Sequence, residues 1–312
     1  MTLAYYSHAD CRLHSMGRGH PECPERLDAI ADHLIATGLI DVLDSRDPPL
    51  ATEEQLERAH STSHVLELRA AMAPLDASGE HLQLDPDTSA GPGTWRAALR
   101  AAGAAVAATD AVIDGTAHAA FCAVRPPGHH AERSAAMGFC FFNNVAVAAR
   151  HALDARGLQR VAVVDFDVHH GNGTEDIVAG DERILMASFF QHPLYPYSGA
   201  VPKGTNMVNV PVPPYARGAQ VREAIEAMWL PRLEAFRPQM IFVSAGFDAH
   251  REDDLGQLGL VEDDYAWITR QLVAVAERHA GGRIVSCLEG GYHLGALARS
   301  VAAHLRVLGG LD

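Results

Sequence analysis

Short apolar runs alternate along this chain with longer stretches of helical periodicity. The runs Thr2–Ser7, Ala119–Val124, Ile184–Ser188, Met207–Val212, Gln239–Ser244 and Arg283–Leu288 read as strands. The clearest strand opens VAVVDFDVHHGNGT, Val161–Thr174, whose apolar first half suits burial on both faces. Helical spacing covers Glu25–Thr37, Ser63–Met72, Trp95–Ile113, Val145–Ala155, Thr174–Ala179, Gly218–Phe236, Glu262–His279 and Leu294–Leu308. Thr52-Glu53-Glu54-Gln55 fits a capping box, and Asn143 or Asn144 suits the N-cap of the helix at Val145. Pro74–Thr94 and Phe189–Asn206 read as long loops. No linker or internal repeat breaks the alternation. The pattern predicts an α/β fold over residues 1–312, a single-domain three-layer α/β/α arrangement with a mainly parallel sheet.

Four of the predicted strands run into polar, glycine-marked segments. Ala119–Val124 leads to Arg125-Pro126-Pro127-Gly128-His129-His130, and Val161–Val164 to Asp165, Asp167 and His169. Gln239–Ser244 leads to Gly246, Asp248 and His250, and Arg283–Leu288 to Glu289-Gly290-Gly291-Tyr292. Ligands of open α/β sheets bind at the carboxyl ends of strands, so these segments are expected to converge on one site. Side chains alternate along a strand, so Asp165, Asp167 and His169 are expected to emerge together, opposite Phe166 and Val168.

Composition narrows the chemistry. A formal charge of −14 argues against direct nucleic-acid binding, which needs a basic face. Five scattered cysteines form no CxxC pair, and the N-terminus has no basic segment followed by a long apolar run. No stretch is long and apolar enough for a membrane span. A cytoplasmic protein without membrane partners is expected, and a homo-oligomer is compatible with the sequence.

Asp167, His169 and Asp248 form an oxygen/nitrogen ligand set that suits catalytic Zn2+ and also Fe2+. His129 or His130 can take a proton from water near neutral pH. Asp165 can orient one of these imidazoles, bond backbone, or meet a second cation. Tyr292 can donate to an oxyanion, and the Gly290-Gly291 pair would let its loop swing. This is the outfit of metal-assisted amide or ester hydrolysis, and no GxSxG, Walker A or well-placed GxGxxG segment competes with it. Asp85 and Asp87 in the first long loop suit either a substrate-binding rim or a solvated turn. His20, Glu22 and Arg26 suit either a hydrogen-bond network at a helix start or the rim of the site. Phe139 reads as core or as the lining of a narrow channel.

The motifs GHPECPERL (Gly19–Leu27), RPPGHHA (Arg125–Ala131), GFCFFNN (Gly138–Asn144), DFDVHHGNGT (Asp165–Thr174), SAGFDAH (Ser244–His250) and EGGY (Glu289–Tyr292) resemble the histone deacetylase superfamily, in the family's order. The resemblance implies an arginase/deacetylase-like fold and a zinc hydrolase acting on acetyl-lysine or a similar acylated amine. It implies Asp167, His169 and Asp248 as metal ligands, His130 as general base, His129 as its electrostatic or acid partner, Asp165 paired with His129, and Tyr292 on the acetyl carbonyl. It further implies a structural potassium ion near Asp165, Asp167, His169, Ser188 and Phe189. Gly138, Phe139, Tyr195, Gly291 and Asp87 are the implied substrate-binding residues. Asn172 stands where class I members carry an acid, which matches the class II pattern and leaves His130 a neutral partner. Tyr195-Pro196 replaces the Phe-Phe-Pro common in class II, which predicts a more polar tunnel mouth. Relatives in this superfamily also hydrolyse acetylated polyamines. A non-catalytic binding module would need the ligands but neither His130 nor Tyr292.

Overall fold

The computed structural model describes residues 2–311. Its strands are β1 (Leu3–Tyr6), β2 (Asp44–Arg46), β3 (Leu82–Gln83), β4 (Ser89–Ala90), β5 (Ala119–Cys122), β6 (Val161–Asp165), β7 (Ile184–Gln191), β8 (Met207–Val212), β9 (Ile241–Ala245) and β10 (Ile284–Leu288). β3 and β4 pair as a small antiparallel ribbon. The other eight form one sheet in the order β2-β1-β5-β10-β9-β6-β7-β8. Every neighbouring pair in it is parallel. All residues of β5, β6, β7, β9 and β10 are buried, as expected when helices cover both faces of a parallel sheet. Among the described residues no helix is long and apolar enough to cross a membrane.

Helices Thr94–Ile113 and Asn144–Asp154 pack against each other on the sheet, and their many alanines permit a close approach. Leu294–Leu308 packs against both Glu25–Ala36 and Glu262–His279. Asn143 is the N-cap that accepts the Ala146 N–H, and Thr52 and Gln55 form the expected capping box.

Four expectations need amendment. β2 was not foreseen because Asp-Ser-Arg carries no apolar signature, and an edge strand needs none. Residues 74–94 hold a helical turn, Leu75–Ser78, besides the β3–β4 ribbon. β7 runs on to Gln191 because β8 supplies a partner up to Val212. The helix expected over Gly218–Phe236 contains a π-helical stretch, Ile225–Trp229, just before Pro231, which has no N–H to give to the helical ladder.

The first helix is moored by a buried ion network. Glu22, Arg26 and Arg125 are all fully buried. Arg125 grips both oxygens of Glu22, through Nε and, at 2.7 Å, Nη2, and Arg26 Nη1 reaches Glu22 at 3.2 Å. Arg125 Nη1 also donates to the carbonyls of Cys11 and His14. Arg26 continues to the carbonyls of Gly291, at 2.7 Å, and Glu289, at 2.5 Å. The network at the helix start is thus also the mooring of the β10 end. Burial works against charge on Glu22, yet the Arg125 guanidinium and His14 hold it well below the usual carboxylate range. Replacing Glu22 with Gln leaves two guanidinium groups without a counter-charge. Glu22→Gln is expected to lower unfolding stability by about 3–5 kcal/mol, read from the urea midpoint. A depressed carboxylate contributes stability above its unfolded pKa, so the gap between the two proteins is expected at neutral pH and should close as pH falls through the acid range.

Candidate active site

β5, β10, β9 and β6 are consecutive neighbours in a parallel sheet, so their carboxyl ends lie side by side. These are the four strands that run into polar segments. Sheet order brings together residues separated by more than 160 positions, from His129 to Tyr292.

Asp167, His169 and Asp248 place one ligand atom each within 4.8 Å of the others, and all three are buried. His169 Nδ1 lies 3.0 Å from Asp167 Oδ1 and 3.2 Å from Asp248 Oδ2. β6 ends at Asp165, so Asp167 and His169 sit beyond the strand rather than on it. The backbone turns there because carboxylates take over from the ladder. Asp165 Oδ1 accepts the Asp167 N–H at 3.1 Å, and Asp248 Oδ1 accepts the Val168 N–H at 2.9 Å. Phe166 and Val168 still face the core, as alternation predicts.

The donor set fits a divalent cation. Asp248 Oδ2 is buried and accepts no hydrogen bond. A Cβ on Gly246 would lie 2.0 Å from Asp167 Oδ2, and one on Gly290 2.0 Å from Asp248 Oδ2, so only glycine admits both carboxylates. Burial and the Asp167 charge push Asp248 up to about 7. Burial opposes charge on His169, but the two carboxylates raise it to about 10. Two carboxylates and an imidazole packed this closely hold protons that a divalent cation would displace.

The tandem histidines differ in partner. His129 Nδ1 lies 3.0 Å from Asp165 Oδ2, and its Nε2 lies 3.8 Å from Asp167 Oδ2. His130 Nδ1 lies 2.8 Å from Asn172 Oδ1. The two rings are 4.0 Å apart between centroids. Burial resists charge on His129, yet Asp167 and Asp165 raise it well above the ordinary histidine value. Burial and the adjacent His129 charge drive His130 well below it. Neighbouring groups with pKa values pushed apart are what separate acid and base roles require.

A cavity of about 260 Å³ opens above this cluster, lined by His130, His169, Tyr292, Gly138, Phe139, Tyr195 and Asp87, with Leu194 and Leu255 added. Gly138 and Phe139 both adopt positive φ, 57° and 69°. That is strained for an aromatic residue, on the order of 1–3 kcal/mol. Thr88 Oγ1 accepts the Phe139 N–H at 2.9 Å, and Asp87 Oδ1 accepts the Gly138 N–H at 3.3 Å. The long loop therefore props the channel wall, and Phe139 lines the channel rather than the core. Tyr195 stands 5.2 Å from the His130 ring, and its hydroxyl is buried without a partner. Burial keeps the Tyr292 phenol well above its usual pKa, so it stays a proton donor. Gly291 does not line the cavity, and its carbonyl is taken by Arg26 behind Tyr292. Ser188 faces Asp165 in register across β6 and β7, and buried Phe189 follows it.

Two supporting acids escaped the sequence reading. Glu289 accepts the N–H groups of Gly128 and His129 at 2.6 and 3.0 Å, and the Ser244 hydroxyl at 3.1 Å. Burial pushes it up to about 7, against the pull of His129. Its signal was present, since it directly follows a buried strand, as Asp165 ends one. Asp253 Oδ2 accepts the N–H groups of Tyr292 and His293, at 2.6 and 2.9 Å. Its Oδ1 accepts that of Leu255, so it ties two walls of the cavity together.

Comparison with known proteins follows the same outline. The histone deacetylase domain matches residues 20–308. The chain belongs to the histone deacetylase family. It is 42% identical over 281 residues to a histone deacetylase-like amidohydrolase of Pseudomonas aeruginosa, covering 88% of this chain and 73% of that one. It is 39% identical over 302 residues to the polyamine deacetylase HDAC10 of Mus musculus, covering 92% of this chain and 44% of that one. The crystal structure of the HDA15 HD domain superposes with a TM-score of 0.91 at 33% identity, covering 99% of this chain and 90% of that one. The fold is therefore of the arginase/deacetylase type, and the family member described here is a hydrolytic deacetylase.

Asp167→Ala and Asp248→Ala are each expected to lose the bound metal, read by elemental analysis of protein loaded with Zn2+ and desalted. Stoichiometric metal in both variants would remove the ligand assignment.

Proposed function

We propose that this protein is a zinc-dependent deacetylase of acetyl-lysine or a similar linear acylated amine. The observation that carries the reading is one buried ligand triad, within 4.8 Å, at the floor of a narrow cavity that His130 and Tyr292 also line. Asp167, His169 and Asp248 would hold the metal, with Fe2+ as the other ion their donor atoms suit. Such a metal supplies Lewis acidity for the carbonyl and lowers the pKa of water.

The chain's own residues divide the remaining work. With Nδ1 directed to Asn172, His130 offers Nε2 as the base for water's proton. His129, held by Asp165, is the electrostatic or acid partner, and the proton that His130 takes from water is the one available to the departing amine. Tyr292 donates a hydrogen bond from its phenolic O–H to the oxyanion that develops on the acyl carbonyl. Phe139 and Tyr195 flank the aliphatic stem, and Asp87 with Gly138 takes polar groups at the mouth. The Asp165, Asp167, His169, Ser188 and Phe189 region is the proposed seat of a structural potassium ion. We read residues 1–312 as one catalytic unit, since Arg26 near its start holds the loop of Tyr292 near its end. The five free cysteines support a reducing, cytoplasmic setting.

An acetylpolyamine is the second reading, favoured by identity to the mouse polyamine deacetylase. The cavity itself favours the first. Asp87 is the one acid lining it among the described residues, so a polycation would meet a single carboxylate there, one whose Oδ1 already accepts from Gly138 and Thr88. Steady-state kinetics on an acetyl-lysine peptide and on N-acetylputrescine discriminate the two, and a much larger kcat/KM for the polyamine would overturn the first. Tyr292→Phe is expected to lower kcat by about 10²–10³-fold with metal content unchanged. Wild-type turnover retained in that variant would remove the oxyanion role.

A further inference from the structure

Asn172 gives His130 a neutral partner, and its side-chain amide presents an acceptor on one side and a donor on the other. Only one orientation makes Nε2 of His130 the base. The amide oxygen must face His130, so that Nδ1 carries the proton. Were the amide reversed, Nδ2 would donate to Nδ1, Nε2 would bear the hydrogen, and the base would be lost. Something must therefore fix the amide.

Glu132 stands where that can be done. Asn172 Nδ2 donates to Glu132 Oε1 at 2.9 Å, and Met137 Sδ is a second, weaker acceptor at 3.3 Å. Asn172 is buried, while Glu132 is half-buried and lies outside the cavity lining. The Glu132 side chain is placed by its own backbone. Its N–H donates to the Ala135 carbonyl at 2.9 Å, and its carbonyl meets His60 Nδ1 at 3.0 Å. An ionised carboxylate only accepts, so it admits only the donor end of the amide.

We propose that Glu132 is a positioning residue that acts through Asn172 to hold His130 in the Nδ1–H tautomer, so that Glu132, Asn172 and His130 together replace a direct carboxylate–histidine pair. This rests on the proposed role of His130 as base. The charge missing beside the imidazole is supplied one residue further out. A charge-assisted hydrogen bond is roughly twice as strong as a neutral one, so the amide is polarised as well as oriented.

The test is a cycle of variants in Zn2+-loaded protein assayed on an acetyl-lysine peptide. Glu132→Gln keeps shape but offers both a donor and an acceptor, and kcat is expected to fall about tenfold with KM unchanged. Glu132→Lys, which can only donate, reverses the amide and is expected to cost about 100-fold in kcat. Asn172→Asp supplies a direct carboxylate but sets it against that of Glu132. In that background Glu132→Gln is expected to raise kcat, because it removes the repulsion. A merely structural role would lower kcat in both backgrounds, and that outcome overturns the proposal. Unchanged kcat in Glu132→Gln and Glu132→Lys, with wild-type protein active, overturns it while leaving the proposed function standing. A wild type that hydrolyses no acylated amine removes that function and this inference together. Nitrogen-15 spectra of labelled histidine provide a readout independent of turnover. The His130 signals, assigned by their loss in His130→Asn, should report Nδ1–H in wild type and Nε2–H in Glu132→Lys.

Discussion

Four carboxylates, Asp165, Asp167, Asp248 and Glu289, lie fully buried at the ends of adjacent strands, and an unpaired buried charge is among the costliest features a protein can carry. Much of the surrounding architecture answers this constraint. Backbone N–H groups of Asp167, Val168, His169 and Gly290 point at these oxygens, which is possible only because the strands end there and free their donors. Imidazoles of His129 and His169 stand between the acids. Glycines at 246 and 290 supply the room. The same crowding of carboxylates that would burden an ordinary core gives this end of the sheet a donor set that fits a cation. Stability and chemistry are therefore not separable at this end of the sheet.

A second buried network sits beside the first and carries the opposite sign. Arg26 and Arg125 bind one carboxylate, Glu22, and spend their remaining donors on carbonyls. Arg26 reaches the carbonyls of Glu289 and Gly291, so the loop bearing Tyr292 is fixed from behind by Arg26 and from the side by Asp253. Arg26 also lies 5.0 Å from the Tyr292 ring, face-on to its π-system. The swinging loop expected from Gly290-Gly291 is instead a tethered one. Glycine serves there for close approach to the carboxylates rather than for mobility.

The order of strands and helices was legible because burial on both faces writes an unmistakable apolar run, and each such run became a strand of the parallel sheet. Ligand-type side chains were legible because they cluster with glycine at strand ends. What sequence could not show was adjacency. Nothing in the chain order says that β10 lies between β5 and β9, and without that the four polar ends are only four loops. Asp253 was missed since a carboxylate that binds backbone N–H groups looks in sequence like any loop acid, whereas Glu289 had the strand-end position as its signal. Glu132 lay in the RPPGHHAE run, but its partner is Asn172, and contact across separate loops leaves no local pattern. Asp85 and Asp87 had two readings and divide them: Asp85 Oδ1 accepts the N–H groups of Asp87 and Thr88 as a turn acid, while Asp87 accepts the Gly138 N–H at the rim.

The position of β10 has a consequence for how such a molecule comes into being. In chain order the tenth strand is not an edge but the filling of a central slot, flanked by β5 and β9. Without Ile284–Leu288 the strands β2-β1-β5 and β9-β6-β7-β8 have nothing to join them, and their facing inner edges both lack a partner. Those inner edges are apolar, and they are the kind of surface that pairs with other chains. The clustered acids sit on one half, with Asp165 at the end of β6, Asp167 just beyond it and Asp248 after β9, while His129 lies on the other. Closure of the slot thus unites solubility and chemistry in a single late event. A chain of this topology has neither until β10 is in place.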